Sequence, residues 1–280
     1  MTYRTILALF KRTYSDWDDD NAPRLGAALA FYTILSISPL VILVLAIVSL
    51  IFNRSSAQAH LLSQARSLVG MEGANTIQSL LEAGKRASTG MIASFMGLLT
   101  LVFGASGVFS ELRSALNLIW DVKPKAGSGI WQLFRERIFS FGMVVSIGFV
   151  LLASLLASTA LDAVTKFFGG LIPISPFVLA ILDFVVSVTG IAILFGLILK
   201  YVPETKVQWS EVRVGAIATA LFFTIGKVLL GLYLGKTTPG SPYGAAGSLV
   251  VMVIWIYYSA QIFYFGAEFT HVYACSKRAA

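Results

Sequence analysis

A single cysteine, Cys275, in a chain of 280 residues excludes an intrachain disulfide and any CxxC-type metal site. Two histidines, His60 and His271, leave too few ligands for a zinc centre or a histidine-based triad. Charge is scarce as well. Asp, Glu, Lys and Arg make up 12% of the chain, where a soluble domain carries about 25%. So few charges cannot cover the surface of a soluble protein of this size. Several motifs are missing too: GxxxxGK[ST], HExxH and GxSxG. Without them there is no phosphate-binding loop, no metalloprotease helix and no nucleophile elbow. The loops between apolar runs are too short to house a soluble catalytic domain. The reading is of a non-enzyme with no metal and no cofactor.

What is present is apolar. Hydrophobic residues form 57% of the chain, and its mean hydropathy is +0.81. Apolar runs of 18 residues or more read as spanning helices, since about 20 residues cross the hydrocarbon core. Alternating segments with regular turns are missing, which argues against an outer-membrane barrel. The expected fold class is all-α: a polytopic membrane protein with six transmembrane helices. The spans fall at about 25–52, 87–110, 138–161, 171–199, 212–234 and 245–268. They form one transmembrane domain over 25–274, followed by a tail at 275–280. With the N-terminus inside, the inner segments hold 14 of the 21 Lys and Arg and the outer ones 6. The excess of basic residues on the inner side makes both termini cytoplasmic. The net charge of +7 then reflects topology and anionic lipid headgroups rather than nucleic acid.

Residues 1–24 read as a cytoplasmic amphipathic segment. Ile6, Leu9, Phe10, Thr13 and Trp17 recur at helical spacing beside Arg4, Lys11 and Arg12. Such a helix suits the headgroup region. The segment is too charged, and the run after it too long, for a cleaved signal peptide. Asp20 or Asn21 can cap the first span, and Pro23 suits its first turn. The long outside loop, 54–86, has two apolar faces. One is Leu61, Leu62, Ala65, Leu68 and Val69; the other is Ile77, Leu80 and Leu81. One or two amphipathic helices on the outer membrane surface, or capping the bundle, are expected there.

Ionisable groups inside a bilayer are costly, so each is a candidate site. Asp183 in span four and Lys227 in span five sit at matching depths, roughly 3 and 5 Å outward of the midplane at about 1.5 Å per residue. They can form a gating or substrate-contacting pair. They can equally be a structural ion pair, or Lys227 can snorkel outward. Span six carries Tyr257, Gln261, Tyr264 and Glu268 on one face, and span two repeats the spacing with Thr100, Gly104, Gly107 and Glu111. Two polar stripes can line a path, or they can serve helix packing. Pro39, after Ser36 and Ser38, removes one helical hydrogen bond and is a candidate hinge.

Three segments carry a family resemblance. They are Asp20-Asn21-Ala22-Pro23-Arg24-Leu25-Gly26 onward to Leu40, Glu111 to Trp120, and Tyr243-Gly244-Ala245-Ala246-Gly247 through Gln261 to Thr270. Across nearly its whole length the chain resembles the YihY/virulence factor BrkB family. The resemblance implies a bacterial inner-membrane protein with six spans. An old ribonuclease BN label also attaches to some members. Metal-dependent RNA cleavage needs clustered ligands, and here His60 and His271 are expected on opposite sides of the membrane. The function that fits these residues is transport or export of a lipid or other amphiphilic small molecule, with membrane lipids as surroundings. The alternative is a non-transporting envelope scaffold that binds lipids or partners.

Overall fold

The computed structural model describes residues 3–48, 53–87, 107–122, 176–236 and 247–279. Every regular element among them is helical, and the described residues hold no strand. The helices are α1 (Tyr3–Asp19), α2 (Ala22–Val48), α3 (Arg54–Ala87), α4 (Pro176–Tyr201), α5 (Trp209–Lys236) and α6 (Gly247–Ala279). A further helical segment, 107–119, precedes α4. Among the described residues, three helices are long and apolar enough to cross a membrane: α4 over Phe184–Tyr201, α5 over Trp209–Tyr233 and α6 over Leu249–Arg278. In α2 the apolar stretch is Ala22–Ile37. The third expected span, 138–161, lies outside the described residues, as does most of the second.

The outward faces agree with lipid surroundings. Ile193 on α4 is exposed, as are Ile217, Ile225, Leu229 and Leu232 on α5. In water such a contiguous apolar surface would be a liability; in hydrocarbon it costs nothing.

α6 is the central helix. It packs against α5, α2, α1 and α3. One core gathers around its second half, with Ala260, Phe263, Tyr264 and Ala267 meeting Leu25, Leu116, Ile119, Leu199 and Val212. A second core surrounds its first half, where Met252 and Ile256 meet Val41, Leu45, Ala74, Ile77 and Leu81. Small residues bring α5 and α6 together. A Cβ built on Gly215 would stand 2.0 Å from Thr270 Oγ1, and one on Gly266 would stand 2.2 Å from Thr219 Oγ1. Each threonine hydroxyl donates back to the carbonyl of the glycine four residues earlier on its own helix, at 2.7 Å. Each hydroxyl is thus paired within its own helix, and both it and the methyl lie against the glycine of the neighbouring helix.

Two surface expectations are refined. The 54–86 segment is one continuous helix, α3, which packs its Ala65, Ala74, Ile77 and Leu81 against α2 and α6. Gly70 and Gly73 do not end it, since a helical glycine costs only about 1 kcal/mol and the packed face offsets that. α1 is helical as expected, but it lies against α6, with Leu9 and Thr13 buried. Phe10 reaches Phe222 and Phe269, with ring centroids 6.0 and 5.6 Å away. Leu7 and Tyr14 remain exposed on the outer side.

Candidate functional site

The site is built where α1 turns into α2. Only Asp20 and Asn21 separate the two helices. Asn21 has φ +52°, a left-handed conformation that asparagine tolerates better than most residues. Its backbone N–H donates to Asp18 O at 3.0 Å, and its carbonyl accepts from the N–H groups of Arg24 and Leu25. Its side-chain amide donates back to Asp19 O at 3.2 Å. Asn21 therefore opens α2 with its carbonyl, while its side chain serves the end of α1. The Asp20 carboxyl is turned toward α6, next to Glu268.

On α6 the stripe of Tyr257, Gln261, Tyr264 and Glu268 faces the protein interior. Tyr257 is half-buried, and the other three are buried. Gln261 Nε2 donates to the carbonyl oxygens of Ala22 at 3.2 Å and Pro23 at 3.4 Å. This is possible because residue 26 is glycine: a Cβ there would lie 2.1 Å from Gln261 Nε2. Below that clamp the polar atoms lose their partners. Gln261 Oε1, Tyr264 OH and both Glu268 carboxyl oxygens are buried with no hydrogen bond in the described structure. Buried polar groups are normally paired, and each exception asks for a reason. The indole N–H groups of Trp17 and Trp120 are unpaired in the same core.

The third wall is the end of the 107–119 helix. Val122 N–H bonds to Asn117 O at 2.8 Å and Asp121 N–H to Leu118 O at 2.9 Å. This is the paired closure of a helix whose next residue is left-handed, a place usually taken by glycine. Here it is Asp121, with φ +52°. Its carboxylate lies 3.9 Å from His271 Nε2, and the Trp120 and His271 rings stand 5.1 Å apart. Both left-handed non-glycine residues described in the protein, Asn21 and Asp121, thus lie at corners beside the same stretch of α6.

The site is strongly acidic. Asp16, Asp20 and Asp121 surround Glu268. Burial pushes the Asp20 carboxyl above the ordinary range, and the negative charges of Asp121 and Asp16 add to this. The neighbouring Glu268 carboxyl and the nearby His271 act the other way. The adjoining basic residues have their own partners. Arg278 makes two bonds to Glu211, at 3.1 and 3.0 Å. Arg113 pairs with Glu204, and Lys200 donates to Val207 O. Among the described residues, no three His, Cys, Asp and Glu side chains converge as metal ligands do.

The residues singled out from the sequence are partly gathered here. Glu111 of the 107–119 helix is close enough to Tyr264 to act on it electrostatically, while a Cβ on Gly107 would meet the Tyr32 ring of α2 at 2.7 Å. Thr100 lies outside the described residues, as does the Asp183 side chain. Lys227 is half-buried on α5. A Cβ on Gly196 would meet Ala216 and Val212 at 3.4 and 3.8 Å, where α4 packs on α5. α2 runs on as a helix through Pro39, whose side chain is outside those described. Sequence reasoning gave Asp20 only a capping role, put Trp17 only on the amphipathic face of the first segment and Trp120 only in a family motif, and left out Asp121. They come from separate segments, and no spacing rule links them.

The family model described as virulence factor BrkB matches residues 13–280. Relatives named UPF0761 membrane protein are similar at modest identity. One from Tolumonas auensis is 29% identical over 90% of this chain and 80% of its own length. One from Mannheimia succiniciproducens is 28% identical over 94% of this chain and 88% of its own. One from Ralstonia nicotianae is 28% identical over 89% of this chain, which spans only 55% of that relative. No solved structure matches.

Proposed function

The chain belongs to the virulence factor BrkB family, and from that premise we propose that this membrane protein transports or exports a lipid or other amphiphilic small molecule. The observation that carries the proposal is the α6 stripe, whose Gln261, Tyr264 and Glu268 are buried yet leave polar atoms unpaired. Unpaired polar groups inside a membrane bundle are expensive and mark substrate or ion pathways. Tyr257, Gln261, Tyr264 and Glu268 line the path, with Thr100 and Glu111 on a neighbouring helix. Asp183 and Lys227, on neighbouring helices, form a gating pair, and Pro39 supplies a hinge. The protein is placed in the bacterial inner membrane with six spans and both termini cytoplasmic. It has no enzymatic step.

The experiment is translocation of labelled lipids and small amphiphiles in proteoliposomes, comparing the protein with Glu268→Gln and Asp183→Asn. Flux by the protein that falls at least tenfold in either variant supports the path. Equal flux in both variants removes these residues from it. Absence of flux across the panel, with folded protein confirmed, replaces transport with the scaffold reading.

A further inference from the structure

Glu268 is 1% exposed, and neither carboxyl oxygen finds a partner among the described residues. An ionised carboxylate there would be a buried charge with no cation and no donor, which proteins avoid. The groups facing it are themselves acids: Asp20 at the α1–α2 corner, Asp16 on α1, and Asp121 at the end of the 107–119 helix. On α6 itself, His271 stands beside Asp121 on the surface side, and Tyr264 is one turn deeper. Arg12 on α1 is engaged by Asp16 at 3.6 Å. α5 meets this part of α6 through Gly215 and Thr219, and its nearby Glu211 is closed by Arg278. Glu111 bears on Tyr264 from the 107–119 helix.

Two neighbouring carboxyl groups have no donor between them unless one carries a proton. Exposure is graded along the group. The Asp121 side chain is 88% exposed, Asp20 is half-buried, and Glu268 and Tyr264 are closed off.

We propose that Asp20 and Glu268 form a proton-binding pair, loaded from the aqueous surface through Asp20, that couples movement along the α6 stripe to protons. The coupling rests on the transport reading; the proton site does not. Loaded, the pair shares one proton and its net charge is −1; unloaded, it carries none and the charge is −2. In loading, a hydronium ion at the surface protonates Asp20 and leaves as water, which brings the pair from −2 to −1. Asp20 hands its proton to Glu268, whose O–H bond forms as that of Asp20 breaks. Burial of Asp20, which raises its affinity for a proton, supports this order.

The test is infrared difference spectroscopy on the full chain in nanodiscs, following the carbonyl stretch of a protonated carboxylic acid against pH and deuteration. At neutral pH the protein is expected to show this band, and Glu268→Gln to lose it. Asp20→Asn, a second variant at a half-buried corner, is expected to lower the titration midpoint of the band by about one pH unit or more, because it removes a neighbouring negative charge. No acid carbonyl band at neutral pH, a band that survives Glu268→Gln, or a midpoint unmoved in Asp20→Asn overturns the pair. The measurement needs no transported substrate. A band without any flux keeps the proton site and ends the transport reading, whereas flux without the band does the reverse.

Discussion

Gly215 and Thr270 meet across α5 and α6 so closely that any side chain on Gly215 would overlap the threonine, and Gly266 and Thr219 repeat the contact one turn away. The two helices run antiparallel, so each supplies one glycine and one threonine to the crossing. In lipid there is no hydrophobic drive between helices, and this backbone approach is the attraction itself.

Gly215→Ala should therefore lower stability by about 1–3 kcal/mol, the usual cost of overpacking. Thr270→Ser should relieve part of it, since a Cβ on residue 215 also lies 2.5 Å from the threonine methyl. Thermal unfolding in detergent of the two single variants and the double variant measures this coupling. Strictly additive effects would mean that the helices separate freely.

Gly26 and Gln261 form a second pair of this kind. Gln261→Ala should cost about 1 kcal/mol through loss of its bonds to Ala22 O and Pro23 O. Gly26→Ala alone should cost more, because the new methyl meets the amide. In the Gln261→Ala background the glycine change should become nearly neutral. A Gly26→Ala penalty that is the same in both backgrounds would show that the amide is not the obstacle.

Asp121 holds a left-handed backbone where glycine is at ease. Asp121→Gly should stabilise the fold by up to about 1 kcal/mol, while removing the carboxylate that faces His271 at 3.9 Å. A higher unfolding temperature with altered pH dependence of flux would assign Asp121 to function. A lower unfolding temperature would show that the His271 contact outweighs the strain.

The Asp20 carboxyl is raised above its ordinary value of 3.8, first by burial. In that window the folded chain binds more protons than the unfolded one. Its stabilising contribution is complete below the ordinary value and is lost as pH rises through the raised one. Asp20→Asn cannot titrate, so its stability should decline less over the same rise. Equal slopes for protein and variant in a pH series of unfolding midpoints would place Asp20 in contact with water after all.

Amino-acid order alone settles the helical membrane character of the chain. Uncharged runs long enough for hydrocarbon leave the backbone little choice but to bond within itself. Helical spacing also puts Tyr257, Gln261, Tyr264 and Glu268 on one face of α6, because a period of 3.6 is a local property. What that face meets is not local. Asp20, Asp121 and Glu268 stand far apart along the chain, and only the packing of α1, α2 and the 107–119 helix around α6 brings three acids together. The Gly215–Thr270 approach is likewise invisible from either helix by itself, since a glycine and a threonine four residues apart promise nothing until the partner is in place. The 54–86 stretch was ambiguous for the same reason: its two short apolar faces become one helix once α2 and α6 offer a common surface. Period and composition act over a few turns, whereas burial without a partner is a property of the assembled bundle.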